Sequence, residues 1–472
     1  MKVAVIGLAR SGYAAARLAH RLGYAVQVTD ACACAHESAE SRRSLEVHAA
    51  ELRSLGIPVE LGIHTPACIK DATLVVTSPG VPESALPLVW ARERHVPVVS
   101  EIEFAVRHTN ARIAAITGTN GKTTTTALTG HILAAAGVPA IVAGNIGQAL
   151  SSVVGQATAQ HILALEISSF QLETVQSFHP SVAVWLNLTP DHLDRYPSME
   201  AYAAAKGRVF MNMTHEDWAI VWNADRALVA PFLETPRPQR VWIDETGRWS
   251  PSLNEPYGAV CVNGEFVTIF NGIRHSHGTL AETKLVGDHN AVNILAACAT
   301  ARILHVPEHV ITTAIRSFTG LPHRLELVAK LNGISFVNDS KATNVDAMVK
   351  ALETIPAPIA LIAGGYDKGG DFAPVAPLVK DKTCRVVLMG AAKEKLAAAF
   401  KRVAEPVFET TVAAVPGAVV HPPASVSTTV SVSCPMRPDV KVICAEPCPA
   451  VIDPFSIVHR YVAPGSDGTL AW

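Results

Sequence analysis

The sequence has little net charge, and this shortage excludes one class of partner. Its 39 lysine and arginine residues nearly balance its 41 aspartate and glutamate residues, which gives a net charge of −2. A chain without a basic field does not recruit nucleic acid through charge. We therefore expect no nucleic-acid partner. Small-molecule partners and a monomer are further expectations.

The sequence also lacks a regular cysteine pattern and long apolar runs. The nine cysteines are scattered, and Cys32 and Cys34 have no second pair at metal-binding spacing. This usage favours reduced thiols over a disulfide framework. The apolar run from Val3 to Ala9 is interrupted by glycine and reads as a first β-strand, and no segment approaches the ~20 apolar residues of a membrane span. We expect a cytoplasmic protein with no membrane span.

At 472 residues the chain is too long for one hydrophobic core, so two or three domains are expected. Strand-like and helix-like segments alternate, which predicts an α/β protein with mostly parallel sheets. We predict three domains, at residues 1–107, 108–321 and 322–472. The stretch from Trp218 to Leu280 is less regular, and beyond Pro406 a segment rich in Val, Ser and Pro reads as loop or edge strand.

The stretch "AITGTNGKTTTT" predicts a phosphate-binding loop between a strand and a helix. Gly118 and Gly121 let successive backbone N–H groups converge on anionic oxygens at the start of the helix. Lys122 adds a cation, and Thr123 or Thr124 offers a hydroxyl to Mg²⁺. Because Ile116 stands where the general P-loop pattern has its first glycine, the match is a variant.

Acidic and imidazole side chains follow two later apolar strands. Glu166 ends "HILALE", and Asp191, His192 and Asp194 follow "SVAVWLNLTP". The carboxyl ends of strands in open α/β sheets bind ligands. After a phosphate loop, Glu166 and His192 are therefore candidate metal ligands, although His192 alone would read as a surface histidine.

The stretches "GTNGKTT", "LEISSFQL", "DHLDRY", "GDHNAVNILAA", "LPHRLE", "NDSKATN" and "GGYDKGGDF" resemble the Mur ligase family, in the same order along the chain. The last two are similar to the branch that adds D-glutamate. The resemblance implies an N-terminal Rossmann-like domain, a central P-loop ATPase and a C-terminal Rossmann-like domain. It also implies an ATP-dependent ligase that adds D-glutamate to UDP-N-acetylmuramoyl-L-alanine, in the peptidoglycan synthesis that serves cell shape and division.

The same resemblance assigns roles to individual residues. It implies that ATP contacts Gly118, Thr119, Asn120, Gly121, Lys122, Thr123, Thr124, Asn290, Arg324 and Asp339. It implies that magnesium is held by Thr123, Glu166, His192 and, if carbamylated, Lys206. Lys122, Lys206 and His192 would be the catalytic residues. The substrate residues would be Ser11, Asp30, Ser78 and Asn145 for the UDP-sugar, and Lys341, Thr343 and Lys368 for D-glutamate.

The end of the chain departs from the family pattern. The best match to its final motif is "EPCPAVIDPFSIV", where Val451 replaces a serine that would hold the D-glutamate carboxylate. Losing a hydrogen bond to a charged group costs about 1.5–3 kcal/mol. Two alternatives to the D-glutamate ligase therefore stay open. One is another Mur or folylpolyglutamate-type ligase, and the other is a homologue that binds nucleotide and UDP-sugar but is catalytically impaired.

Overall fold

The computed structural model describes residues 1–31, 39–234, 237–253, 255–331, 333–401, 407–409 and 441–445. Within these residues the chain forms two compact units. The first unit comprises Met1–Thr189, Tyr196–Leu285 and His289–Thr319. The second comprises Pro190–Arg195, Val286–Asp288 and the described residues from Gly320 onward.

The first unit begins with a parallel sheet in the order β3-β2-β1-β4-β5. Its strands are β1 Lys2–Ile6, β2 Ala25–Asp30, β3 Val59–Leu61, β4 Leu74–Thr77 and β5 Val98–Ser100. Its helices are α1 Arg10–Arg21, α2 Ala39–Ser54, α3 Leu86–Glu93 and α4 Glu101–Val106.

A second sheet of the same unit has the order β14-β13-β12-β11-β10-β9-β6-β8-β7 and is parallel except for the pairs β12–β13 and β13–β14. Its strands are β6 Arg112–Thr117, β7 Ala140–Gly144, β8 Ile162–Glu166, β9 Val182–Trp185, β10 Trp218–Trp222, β11 Gln239–Asp244, β12 Gly258–Val262, β13 Glu265–Phe270 and β14 Ile273–Thr279. The helices here are α5 Lys122–Ala135, α6 Leu150–Val153, α7 Ser169–Leu172, α8 Met199–Gly207, α9 Arg226–Val229, α10 Asn290–Ile303 and α11 Glu308–Ser317.

One hydrophobic core joins these two sheets. It runs from Val3 and Val5 of β1 to Ile113 and Ala115 of β6, and α6 packs against α1 and α4. The buried carboxylate of Glu103 also connects the two sheets, because it accepts the backbone N–H of Gln176 at 3.0 Å. Burial alone would raise the pKa of Glu103, but this bond and those from Ser177 and Arg107 lower it.

The second unit contains a sheet in the order β15-β16-β20-β17-β18-β19, antiparallel only between β15 and β16. The strands are β15 Glu326–Leu331, β16 Ile334–Asn338, β17 Ile359–Gly364, β18 Thr383–Met389, β19 Val407–Glu409 and β20 Lys441–Ala445. The helices are α12 Val345–Thr354, α13 Ala376–Lys382 and α14 Lys393–Phe400. Their core includes Leu352, Leu361, Val379 and Phe400.

The predicted α/β class with mostly parallel sheets is confirmed. The stretch from Trp218 to Leu280 is more regular than we expected, because it contributes β10 to β14. Its alternation is weak since β14, at the sheet edge, fully buries only His277 among its residues. The domain boundaries stay predictions, and Cys32, Cys34 and the tail motif at 446–458 lie outside the described residues. Within the described part, no helix has both the length and the apolar character to span a membrane.

Candidate active site

The loop Gly118–Gly121 connects β6 to α5, as the sequence predicts. Gly118 has φ 148° and Gly121 has φ 84°, backbone conformations that favour glycine. Gly121 lies directly before the helix, and a Cβ there would come within 2.1 Å of the Asn293 side-chain oxygen. The loop therefore requires glycine at this position and presents its amides at the positive end of a 14-residue helix.

Residues that follow the neighbouring strand β9 form hydrogen bonds to this loop. The backbone N–H of Thr119 donates to the Asn187 carbonyl at 2.9 Å, and that of Asn120 donates to Asn187 Oδ1 at 2.8 Å. The Thr119 hydroxyl donates to the Thr189 carbonyl at 3.2 Å. Asn187 and Thr189 were not singled out from the sequence, although "LNLT" directly follows a buried strand and so marks a ligand-binding sheet edge.

Two lysines meet at one carbonyl of the loop. Lys122 Nζ donates to the carbonyls of Gly118 and Thr119, at 2.9 and 2.8 Å. Lys206 Nζ donates to the same Gly118 carbonyl at 2.8 Å and lies 4.5 Å from the centre of the Tyr202 ring. Lys206 is only 1% exposed. A buried ammonium is costly without polar partners, and Lys206 is paired with a loop carbonyl here rather than lying on a solvated helix face.

The start of α10 packs against the first turn of α5. Asn293 Nδ2 donates to Asn290 Oδ1 at 2.9 Å, and its own Oδ1 accepts the Thr125 hydroxyl at 3.2 Å. Asn290, a predicted ATP residue, is therefore buried, and Asn293 links it by hydrogen bonds to the first turn of α5. Thr123 and Thr124 lie in the first turn of α5, and Thr124 is buried.

Glu166 ends β8, the strand that pairs with β6 on the side away from β9. Its Oε1 accepts the side-chain amide of Asn145 at 2.8 Å. Its Oε2 is buried and has no hydrogen-bond partner among the described residues. A carboxylate oxygen held in this way suits a hard cation.

Within the described residues, no group of three or more His, Cys, Asp or Glu side chains is placed to hold a metal. Magnesium commonly uses one or two protein carboxylates together with substrate phosphates and water. Glu166 and the Thr123 hydroxyl thus fit a magnesium site of that open kind.

The Gly7–Gly12 turn of the first sheet brings three predicted substrate residues to its strand ends. Ser78 packs on the turn, so that a Cβ at Gly7 would lie 2.8 Å from the serine hydroxyl oxygen. Asp30 Oδ2 accepts the Leu8 N–H at 2.6 Å. Ser11 lies in the first turn of α1. These contacts place Ser11, Asp30 and Ser78 around one turn at the strand ends of the first sheet.

In the second unit, two candidate residues, Lys368 and His192, lie beside Asp191. Asp191 Oδ1 lies 3.7 Å from Lys368 Nζ. The next residue, His192, has a backbone φ of 56°, and its Nε2 lies 3.5 Å from Asp191 Oδ2. Asn344 Nδ2 donates to that oxygen at 3.4 Å. These residues and Thr343 line a cavity of about 270 Å³, large enough for a small amino acid or part of one.

The predicted nucleotide residues Arg324 and Asp339 also lie near each other in this unit. Burial raises the pKa of Asp339 to about 6, while the Leu325 N–H at 3.1 Å and the nearby Arg324 guanidinium oppose this rise. Lys341 is exposed, and its backbone N–H donates to the His323 carbonyl at 3.1 Å. In this unit, Lys368 and Asn344 thus lie beside Asp191, and Arg324 lies near Asp339.

Comparisons with known proteins agree with this geometry. Residues 116–301 match the Mur ligase middle domain, and residues 323–424 match the Mur ligase, glutamate ligase domain. A Geotalea uraniireducens (strain Rf4) protein named UDP-N-acetylmuramoylalanine--D-glutamate ligase is 41% identical over 84% of each chain. A Cytophaga hutchinsonii protein of the same name is 39% identical over 84% of this chain and 86% of its own.

Two solved structures share the fold. The UDP-N-acetylmuramate-alanine ligase of Thermotoga maritima aligns with a TM-score of 0.55 and 19% identity, over 95% of this chain and 96% of its own. The pseudomurein peptide ligase type C of Methanothermus fervidus aligns with a TM-score of 0.54 and 19% identity, over 94% and 97%. At this identity the likeness concerns the fold alone.

Proposed function

This chain belongs to the Mur ligase family, and from that membership we propose that it is an ATP-dependent ligase that joins D-glutamate to UDP-N-acetylmuramoylalanine in peptidoglycan precursor synthesis. The observation that carries the proposal is the meeting of Lys122 and Lys206 at the Gly118 carbonyl. This places Lys122 at a helix-capping loop, where it suits the transfer of an anionic phosphoryl group, and it places Lys206 beside the same loop.

The chemical problem of this reaction is that a carboxylate is a poor electrophile. Transfer of the γ-phosphoryl group of ATP to the alanine carboxylate gives an acyl phosphate, whose phosphate leaves readily. The amine of D-glutamate attacks the carbonyl carbon, a tetrahedral oxyanion forms, and phosphate departs. Because two anions must approach each other, the amides of the loop and Lys122 stabilise the charge that develops.

Magnesium would be held by Thr123 and Glu166, and when bound it would offset the phosphate charge. Asn145 orients the Glu166 carboxylate by donating to Oε1, which leaves Oε2 for the cation. Lys206, if carbamylated, would present a carboxylate-like group in place of an ammonium. His192 is the remaining candidate ligand.

The second unit supplies the residues that suit a dicarboxylate amino acid. Lys368 and Thr343 line its cavity, and Lys341 follows Asp339 in the same loop. Arg324 and Asp339 are assigned to the nucleotide, as phosphate and ribose contacts. In the first sheet, Ser11, Asp30 and Ser78 are assigned to the UDP end of the other substrate.

We also assign the protein to the cytoplasm as a monomer with small-molecule partners. The free thiols of Cys68, Cys261, Cys298 and Cys384 support a reducing compartment.

The test is ATP-dependent phosphate release with UDP-N-acetylmuramoyl-L-alanine and one of four additions: D-glutamate, L-lysine, meso-diaminopimelate or no amino acid. We expect release with D-glutamate only. Release with another amino acid would assign the chain to a different ligase specificity. No release with any addition would identify a catalytically impaired homologue, as the valine at position 451 allows.

A further inference from the structure

Arg10 begins α1 inside the Gly7–Gly12 turn and was not among the site residues predicted from the sequence. Its Nη1 donates to the Gly147 carbonyl at 2.7 Å, and its Nη2 donates to the Asn145 carbonyl at 2.9 Å. Both acceptors lie in the segment 145–147, which directly follows β7. Because a guanidinium is a planar group with fixed donors, one side chain holds two carbonyls of this segment at once.

The same segment contacts the candidate metal carboxylate. The backbone N–H of Asn145 donates to the Glu166 carbonyl at 2.9 Å, and its side-chain Nδ2 donates to Glu166 Oε1 at 2.8 Å. The approach is close, because a Cβ on Gly144 would come within 2.3 Å of the Glu166 carbonyl oxygen. Asn145 therefore accepts from Arg10 through its carbonyl and donates to Glu166 through both of its amides.

A buried carboxylate also lies near Arg10. Glu101, at the start of α4, is 1% exposed, and its Oε1 accepts the Ser151 N–H at 2.6 Å. Burial raises the pKa of Glu101, and the positive charge of Arg10 opposes this rise. The negative charge of Glu101 favours a guanidinium at this place, although Arg10 itself is exposed.

We propose that Arg10 is a positioning residue for the metal carboxylate. By fixing the segment 145–147, Arg10 directs the Asn145 amide at Glu166 Oε1 and so keeps Oε2 available for the cation. Groups that orient a metal ligand influence metal affinity without touching the metal. The inference rests on the magnesium site of the proposed function, and it adds to that site a residue from the turn assigned to the UDP-sugar.

Binding of Mn²⁺, a paramagnetic substitute for Mg²⁺, tests the proposal on the full chain. Electron paramagnetic resonance measures free Mn²⁺ during the titration, with a non-hydrolysable ATP analogue present at less than one equivalent per chain. We expect Arg10→Ala to weaken Mn²⁺ binding about tenfold, the lower end of the loss when a group that orients a metal ligand is removed. Arg10→Lys should retain part of the affinity, because it donates to the same carbonyls without the planar fork.

A double-mutant cycle with Asn145→Ala tests whether Arg10 acts through Asn145. The Asn145→Ala substitution removes the donor to Glu166 Oε1 and should itself weaken Mn²⁺ binding. Adding Arg10→Ala should then cost at most about twofold more, because residues that act through one contact are not additive. Fully additive losses would overturn the proposal.

Arg21→Ala is the matched control, since Arg21 lies on the same helix but donates to the Ser151 carbonyl, at 3.4 Å. We expect it to leave Mn²⁺ affinity unchanged. An equal loss in Arg21→Ala, or equal affinities of the wild type and Arg10→Ala, would overturn the proposal. So would unchanged Mn²⁺ affinity in Arg10→Ala together with weaker binding of UDP-N-acetylmuramoyl-L-alanine, because Arg10 would then be a direct substrate contact.

The metal titration and the ligase assay separate this inference from the proposed function. If the wild type shows no ligase activity but Arg10→Ala still weakens Mn²⁺ binding, the proposed function fails and the positioning role stands. If the wild type is an active ligase and Arg10→Ala binds Mn²⁺ normally, only the positioning role fails. Absence of Mn²⁺ binding in the wild type would overturn both.

Discussion

The two compact units hold their candidate lysines in different ways. In the first unit, Lys122 and Lys206 donate to backbone carbonyls of the phosphate loop. In the second unit, Lys368 lies beside a carboxylate, that of Asp191, and Arg324 lies near Asp339. The first arrangement depends on backbone geometry, and the second depends on charge.

Because of this difference, we expect the two units to respond differently to changes in pH and salt concentration. The carbonyl partners of these bonds carry no net charge, so salt should weaken them less than it weakens a partly exposed ion pair. A half-exposed ion pair is weakened by salt, and a buried carboxyl responds to pH. Changes in the first unit should therefore reduce catalysis, and changes in the second should make binding or stability depend on solution conditions.

The largest effect is expected from Lys122→Ala. Removing this cation should lower ligase turnover about a thousandfold, as loss of a charge-stabilising group does in phosphoryl transfer. Steady-state phosphate release measures the change. Lys350→Ala is the control, since this lysine pairs with Glu353 on the surface of α12. Full activity of Lys122→Ala would remove the loop from the mechanism.

The second prediction concerns Asp339, whose pKa of about 6 exceeds its ordinary value of 3.8. Because the folded state holds the proton more tightly, this group stabilises the fold most below pH 4. The contribution is lost as pH rises through 6. The expected loss is about 3 kcal/mol, or roughly a hundredfold in the folding equilibrium.

Urea unfolding between pH 4 and pH 7 measures this loss in the wild type and in Asp339→Asn. The substitution should remove the decline, whereas Asp371→Asn, at an exposed aspartate of the same unit, should preserve it. Identical pH profiles for the wild type and Asp339→Asn would count against a raised pKa.

The third prediction tests backbone geometry in the first unit. Gly121→Ala places a Cβ against Asn293 at a positive φ, a strain near 2 kcal/mol that should weaken ATP binding about 30-fold. Gly137→Ala is the matched control, because Gly137 has φ 70° but a Cβ added there would meet nothing within 4 Å. If both substitutions weakened ATP binding equally, the contact with Asn293 would be irrelevant.

The smallest effect is expected from Lys368→Met. It should raise the KM for D-glutamate about tenfold, the usual loss for one charge-assisted hydrogen bond. It should also remove most of the salt dependence of that KM. Kinetics at low and high ionic strength measure both quantities. Lys395→Met, which breaks the pair with Asp367 in the same unit, should change neither.

The sequence predicted the phosphate loop because its determinants are local. Glycine, lysine and threonine at fixed spacing specify a strand-to-helix turn whatever the rest of the chain does. The residues that hydrogen-bond to that loop and to the helix after it were not predictable in the same way. Asn187 and Asn293 reach it from 67 and more than 160 residues along the chain, so only the pairing of β6 with β9 and the packing of α10 bring them together.

Other features lay beyond sequence reasoning for a similar reason. The packing of α1 against α6 depends on contacts between distant segments, which no local pattern encodes. The strands β12 to β14 form antiparallel pairs at the sheet edge, and the weak alternation of β14 reads as irregular. By contrast, Glu166 was identified correctly as a strand-end carboxylate because a buried apolar strand leads directly into it.

The central claim is that the loop around Lys122 directs a phosphoryl group onto the substrate carboxylate. Oxygen-18 in the alanine carboxylate of UDP-N-acetylmuramoyl-L-alanine tests it most directly, with mass spectrometry of the phosphate released in the presence of ATP and D-glutamate. An acyl phosphate must carry one carboxylate oxygen into that phosphate, so we predict one labelled oxygen for each amide bond formed. Amide formation with unlabelled phosphate would contradict the account.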